Sequence, residues 1–248
     1  MNCRTIAIAA VLASAAIAPA VAGEPRAVVQ LFTSQGCSSC PPADRLLGEL
    51  AHDPTLVTLS LPVDYWDYLG WKDTLALHGN ATLQRDYSIA RGDREVYTPQ
   101  AVVNGVVHAL GSDKDAIEQA IARTRSAGPL ALPVTLRIAD GKVSVHLPAA
   151  QGEHKSGAVW LFPVTSQAKV KIGRGENGGH TLNYYNVVRR WVKLGEWNGE
   201  AEDFALPLDK LPDADFTLAD VDHVAVIVQS GSAAKPGLML GAATASLH

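Results

Sequence analysis

Apolar segments of strand length alternate with helical patterns over the first half of the chain. The runs at residues 27–32 and 55–61 have the length and composition of buried strands, and Pro62 ends the second run. Residues 43–50 follow the first run with apolar positions at helical spacing, and residues 73–88 follow the second with a weaker helical pattern. This order of strand, helix, strand and helix predicts an α/β unit.

A β-hairpin and a third helix complete this unit. Asn104-Gly105 separates two short apolar runs, and Asn-Gly in that position is the strongest short-range signal for a hairpin. Ser112 or Asp113 can cap the helix that follows, because a side-chain oxygen there accepts a hydrogen bond from the first helical turn. The hairpin makes the predicted sheet mixed rather than purely parallel.

The pattern changes near residues 127–129, after which short alternating strands replace the helices. Asp140-Gly141 has the turn chemistry of a hairpin between alternating runs at residues 134–138 and 143–147. Further strand-like runs lie at residues 159–162, 184–192 and 224–228. The second half of the chain therefore predicts an antiparallel β-sandwich or small barrel.

Composition and charge set bounds on this organisation. Of the 248 residues, 47% are hydrophobic and 19% are charged, which is typical of a globular protein. The formal net charge is −4 and the chain has no basic run, so we expect no nucleic-acid partner. We expect an α/β domain over residues 23–128 and a β-sandwich domain over residues 129–248, with a boundary between residues 125 and 130.

Residues 1–22 have the pattern of a secretory signal peptide. Arg4 is their only charge, an apolar stretch follows it, and Ala20-Val21-Ala22 has the small residues of a cleavage site. The apolar stretch is shorter than the ~20 residues of an ordinary membrane span, so we expect no stable membrane anchor. The pattern predicts cleavage after Ala22 and a periplasmic or secreted protein that begins at Gly23.

The candidate chemistry lies in Cys37-Ser38-Ser39-Cys40, where the first predicted strand meets the first predicted helix. Two cysteines at this spacing can close a small disulfide. The unpaired N–H groups and the dipole of a helix N-terminus favour a thiolate, the reactive form of cysteine. Cys37 could then attack a partner sulfur and Cys40 could resolve the mixed disulfide, so both are candidate catalytic residues. Such a site predicts that Cys37 is more exposed than Cys40.

Other interpretations of the two cysteines remain open. A four-ligand zinc site would need a second cysteine pair. The chain has one other cysteine, Cys3, which would leave with the signal peptide, so we expect no such metal site. Two exported thiolates could instead hold Cu(I), since soft ligands select soft metals. The pair could also form a structural disulfide in a protein that only binds partners.

The first half resembles the thioredoxin fold, in which a Cys-x-x-Cys motif lies opposite a cis-proline at the start of a strand. Tyr97-Thr98-Pro99-Gln100 matches the second part of that signature. The resemblance implies a thiol–disulfide oxidoreductase that needs no cofactor besides its own Cys37–Cys40 disulfide. It also implies that Thr98 and Pro99 bind the substrate strand, and that the partners are protein or small-molecule thiols and disulfides.

The whole chain also resembles a family of secreted bacterial proteins known as domain of unknown function 1223. The matching segments are residues 31–44, 97–100, 174–177 and 185–189. The family is described as thioredoxin-like and has no established substrate, so the resemblance supports the fold and leaves the reaction open.

Two further segments have both a structural and a functional interpretation. The aromatic insertion at residues 63–71 could form a binding wall beside the thiols, or could simply pack onto the domain. The glycine-rich segment at residues 173–180 suits a hairpin connection. It could also be a flexible loop folded over the thiols that carries Arg174 and His180.

Overall fold

The computed structural model describes residues 25–150 and 156–247. The predicted signal peptide and its cleavage site lie outside the described residues. The first half contains the strands β1 (Ala27–Thr33), β2 (Leu56–Pro62), β3 (Gln100–Val103) and β4 (Val107–Leu110) and the helices α1 (Pro41–Leu50), α2 (His78–Arg91) and α3 (Lys114–Thr124). In the described part of the chain, no helix is long and apolar enough to cross a membrane.

The second half consists of strands joined by loops and short 3₁₀ turns. The strands are β5 (Thr135–Ala139), β6 (Lys142–Leu147), β7 (Gly157–Lys171), β8 (Thr181–Val188), β9 (Val192–Trp197), β10 (Glu202–Pro207), β11 (His223–Ser232) and β12 (Lys235–Ser246). The molecule is therefore mixed α/β, with its helices before residue 128 and most of its strands after it.

One large sheet runs through both halves of the chain. Its nine strands follow the order β12-β11-β7-β8-β2-β1-β3-β4, with β9 paired to β7, while β10, β6 and β5 form a separate three-stranded sheet. The two halves meet at β2 and β8, which run parallel and are paired at Ser60 and Val187. The thioredoxin-like and β-sandwich assignments, and the division into two domains near residue 128, stay predictions.

The hydrophobic core on one face of the sheet is shared between the halves. Helix α2 covers this face of β1 and β2 through Ala81, Leu83 and Tyr87, and the same cluster includes Phe162 and Ile227 from β7 and β11. Helices α1 and α3 pack on the opposite face against alternate residues of β1 and β3. The positions of α1 and α2 on opposite faces leave the loop after β1 at the edge between these layers.

Several predicted elements are confirmed. The Asn104-Gly105 hairpin joins β3 to β4, and the Asp140-Gly141 turn joins β5 to β6. Asp113 is the N-cap of α3, since its carboxylate accepts a hydrogen bond from the Ala116 N–H.

Two predicted boundaries are wrong. The helix expected to begin at Asp73 begins at His78, because the Asp73 carboxylate accepts hydrogen bonds from the Gln35 and Leu75 N–H groups and holds this segment as a turn. The strand expected over residues 184–192 is two strands, since β8 ends at Val188 and β9 begins at Val192.

Candidate functional site

The two cysteines lie between the end of β1 and the first turn of α1. Cys40 is the N-cap residue of α1, and its carbonyl accepts hydrogen bonds from the Ala43 and Asp44 N–H groups. Prolines occupy the first two helical positions, where a backbone N–H has no hydrogen-bond partner within the helix, so the missing N–H groups cost nothing. Cys37 and Cys40 form a disulfide with their Cα atoms 5.4 Å apart, so the predicted pairing is confirmed.

Both cysteines are buried. Cys37 is 1% exposed and Cys40 is 0% exposed. This closed, oxidised form therefore does not show the exposed Cys37 that a redox-active site predicts. A partner sulfur must approach along the line of the disulfide bond, so exchange at this site requires a movement that uncovers Cys37.

The loop between β7 and β8, residues 172–180 (the covering loop), contacts the backbone of the disulfide motif. The Asn177 side chain is 6% exposed and donates hydrogen bonds to the carbonyls of Gln35 and Cys37, both at 2.9 Å. The Glu176 carboxylate accepts a hydrogen bond from the Ser38 N–H at 3.1 Å. Hydrogen bonding to Ser38 lowers the pKa of Glu176 below its ordinary value. The loop thus binds the motif through groups that satisfy its backbone.

These contacts give the glycine-rich segment a position that its sequence only suggested. The segment connects two strands, as its structural interpretation requires, and it also makes hydrogen bonds to the disulfide motif. Glu176 and Asn177 make the hydrogen bonds to the motif, whereas among the described residues no such bond comes from the side chains of Arg174 or His180. No short-range pattern connects Asn177 with a carbonyl 140 residues earlier in the chain.

Thr98 and Pro99 lie beside the disulfide motif. The Thr98–Pro99 peptide bond is cis, and Pro99 directly precedes β3. The Ser39 hydroxyl donates a hydrogen bond to the Thr98 carbonyl at 3.5 Å, the upper limit of such a bond. The structure therefore brings together the four residues that the sequence singled out, and their roles in binding a substrate stay a prediction.

The aromatic insertion lies against both the cis-proline segment and the covering loop. The Trp66 indole donates a hydrogen bond to the Thr98 hydroxyl at 2.8 Å. The Trp71 indole donates to the Gln35 amide oxygen at 2.8 Å, and its ring packs so closely on Gly173 that a Cβ there would lie 2.7 Å from it. Tyr68 stacks on Trp66 and is 78% exposed. Both tryptophans thus have packing roles, and Tyr68 extends the ring surface into solvent.

Comparison with protein families gives a match that spans most of the chain. The family model of proteins of unknown function named DUF1223 matches residues 28–229. The chain belongs to the DUF1223 family. The crystal structure of protein AGR_C_4864 from Agrobacterium tumefaciens is similar to this DUF1223 protein, with 32% sequence identity and a TM-score of 0.77 over 89% of this chain and 94% of that one. Comparison with curated proteins gives no match.

This DUF1223 protein has a buried acid one helical turn after Cys40. Asp44 is 2% exposed, and neither of its carboxylate oxygens has a hydrogen-bond partner of good geometry, although the Thr33 hydroxyl lies near enough to lower its pKa. Burial raises the pKa of Asp44 to about 8, since a charged carboxylate is disfavoured where water is excluded. Asp73, also buried, adds to this effect, and burial raises its own pKa to about 6 despite hydrogen bonds from backbone N–H groups, with the largest effects from Gln35 and Leu75.

The DUF1223 protein also buries other polar atoms without partners in its described residues. The hydroxyls of Thr33, Ser60 and Tyr184 are buried without a hydrogen-bond partner. Burial raises the pKa of Tyr184, and Asp44 and Asp73 raise it further. Sequence reasoning missed Asp44, because an acid in the first turn of a helix ordinarily faces water and stabilises the helix dipole. In the described residues, no group of three or more histidine, cysteine or acidic side chains could hold a metal ion.

Proposed function

We propose that this protein is an exported thioredoxin-like thiol–disulfide oxidoreductase that acts through Cys37 and Cys40. The observation that carries the proposal is the position of the disulfide, at the N-terminus of α1 and beside the cis Thr98–Pro99 bond. The strand order β2-β1-β3-β4, with α1 and α3 on one face and α2 on the other, supports the thioredoxin-like part of the proposal.

The chemistry is a two-step exchange between the protein and a partner disulfide. The Cys37 thiolate attacks one partner sulfur, the partner S–S bond breaks, and one partner thiolate leaves. The Cys40 thiolate then attacks the Cys37 sulfur, re-forms the internal disulfide and releases the second partner thiolate. Two electrons pass to the partner, and the protons lost by Cys37 and Cys40 end on its two thiols. The reverse sequence oxidises a partner dithiol.

Opening of the loop over residues 172–180 is part of the proposed mechanism. The loop must release at least the two hydrogen bonds that Asn177 donates to the backbone before a partner can reach Cys37. Each such bond contributes about 1 kcal/mol net, so breaking both disfavours the open loop by about 2 kcal/mol. Pro99 and the Thr98 backbone would then hold an extended partner beside the exposed sulfur.

A structural disulfide is the second candidate, and the burial of both cysteines favours it. A disulfide of this kind would not exchange until the protein unfolds. Binding of Cu(I) by the reduced pair is a third interpretation, which requires both cysteines as thiolates. It predicts that Cys37→Ser and Cys40→Ser each lower Cu(I) affinity and that neither variant forms a mixed disulfide.

The three candidates are separated by the reaction of single-cysteine variants with glutathione disulfide, followed by mass spectrometry. We expect Cys40→Ser to accumulate a stable mixed disulfide at Cys37 under native conditions. Cys37→Ser should react at least about tenfold more slowly, because the second sulfur of such a motif is the less accessible one. Equal rates for both, limited by global unfolding, would establish a structural disulfide. So would a reduction potential far below about −300 mV.

The role of the loop has its own variant and control. Asn177→Ala should raise the rate at Cys37 in the Cys40→Ser background by about 30-fold, the factor that corresponds to 2 kcal/mol. Asn183→Ala, at an exposed position of β8, should leave the rate unchanged. An unchanged rate in Asn177→Ala would remove the loop from the mechanism without affecting the test of the cysteines.

A further inference from the structure

A cavity of about 250 Å³ lies between α2, β7 and the turn that joins β11 to β12. The residues that line it include Trp160 on β7, Trp191 just before β9, and Asp86 on α2. None of the residues that line it belongs to the disulfide motif, the cis-proline segment or the covering loop. Pockets for drug-sized ligands measure roughly 300–1,000 Å³, so this volume suits a smaller molecule.

Two tryptophan rings form a fixed corner of the cavity. The rings of Trp160 and Trp191 meet edge to face, with centroids 5.8 Å apart and an interplanar angle of 75°. Trp191 is held from two other sides, since its indole donates a hydrogen bond to the Asn80 side chain at 3.0 Å and its ring packs on Phe162. Both tryptophans are half-buried, so the corner presents aromatic surface that remains open to a ligand.

Asp86 supplies a negative charge to this aromatic corner. It is half-buried, and in the described structure its carboxylate has neither a hydrogen bond nor an ion pair. Lys193 lies with its ammonium group 5.9 Å from the Trp160 ring centroid, but it pairs with Glu196 and does not line the cavity. An unpaired carboxylate that lines the same cavity as two indoles is complementary to a positive charge on an apolar body.

We propose that this cavity binds a small organic cation, an amine or a quaternary ammonium compound. The aromatic faces attract the cation through their negative quadrupole and bury its methyl or methylene groups, while Asp86 balances its charge. A neutral molecule of the same shape would bury the same apolar groups, but it would lack the attraction to the aromatic faces and to the Asp86 carboxylate. The proposal is independent of the thiol chemistry, because it uses none of the same residues.

The test compares choline with its neutral isostere 3,3-dimethylbutan-1-ol by isothermal titration calorimetry on the purified full chain. We expect saturable binding of choline, quenching of tryptophan fluorescence, and affinity for the isostere at least about tenfold weaker. Asp86→Asn should weaken choline binding at least about tenfold, and Trp160→Leu should do the same. The control Asp115→Asn, at an exposed position of α3, should leave it unchanged.

Three results would overturn the proposal: equal affinities for choline and the neutral isostere, unchanged choline binding in Asp86→Asn, or no saturable binding of either choline or methylamine. Asp86→Asn changes one half-buried carboxylate on a helix surface, so the test does not depend on whether Trp160→Leu folds. Circular dichroism of each variant checks that the fold is retained.

Discussion

Replacement of Asp44 by asparagine should make the protein more stable at neutral pH and should flatten the dependence of its stability on pH. The wild-type carboxyl is buried, and its pKa rises from the ordinary 3.8 to about 8, mainly because burial disfavours the charged form. The native protein therefore keeps a proton on Asp44 up to about pH 8, whereas the unfolded chain loses that proton near pH 4. Asparagine has a similar shape and does not ionise.

The sign and the size of the effect follow from proton linkage. Between pH 4 and pH 8 the native state binds more protons at Asp44 than the unfolded state does, so the free energy of unfolding falls as pH rises. The slope is about 1.4 kcal/mol per pH unit for one group. At pH 7 this group costs about 4 kcal/mol relative to strongly acidic solution. Asp44→Asn removes this cost, but an unpaired buried amide would itself destabilise the variant by about 1–3 kcal/mol at every pH.

Urea unfolding of the wild type and Asp44→Asn at a series of pH values measures this difference. Asp73, whose pKa is about 6, adds a slope below pH 6 in both proteins, so the informative range is about pH 6.5 to 8. Over that range the advantage of Asp44→Asn should grow by about 1.5–2 kcal/mol. The control Asp115→Asn should run parallel to the wild type. Parallel curves for Asp44→Asn and the wild type would refute the assignment of a proton to buried Asp44.

Two further predictions concern packing and domain organisation. Gly48→Ala should lower the free energy of unfolding in urea by about 1–3 kcal/mol, because the new Cβ would lie 2.6 Å from the Tyr185 ring. The control Gly79→Ala has open space around the new Cβ and should be neutral or stabilising. Equal effects of the two substitutions would mean that the Tyr185 ring moves aside freely. A chain ending at Gly128 should show no cooperative thermal transition by circular dichroism, because it lacks Phe162 and Ile227 of the shared core. A sharp transition would instead support an independently folded first domain.

The elements that the sequence predicts well are those specified by neighbouring residues. Asn104-Gly105 and Asp140-Gly141 set the turns of their hairpins, and Asp113 caps the helix that directly follows it. The disulfide belongs to the same class, because four consecutive residues contain both sulfurs. Turn and cap chemistry acts over a few bonds, so it can be recognised without knowledge of the rest of the fold.

The parts that the sequence leaves open depend on partners far along the chain. Hydrophobic periodicity shows that β2 and β8 are strands, but it does not show that they pair with each other through Ser60 and Val187. Strand β12 was not anticipated, because its glycines and alanines have low strand propensity and it is stabilised by pairing with β11. The hydrogen bond from Asn177 to the Cys37 carbonyl likewise joins residues that no local pattern relates.

Because the covering loop follows the cysteines in the chain, the order of synthesis decides when the thiols are accessible. Cys37 leaves the ribosome 140 residues ahead of Asn177. At synthesis rates of about 5–20 residues per second, both thiols precede the loop by about 7 to 28 s. An oxidant that acts on the growing chain therefore reaches two accessible thiols. An oxidant that acts on the folded protein encounters two buried cysteines.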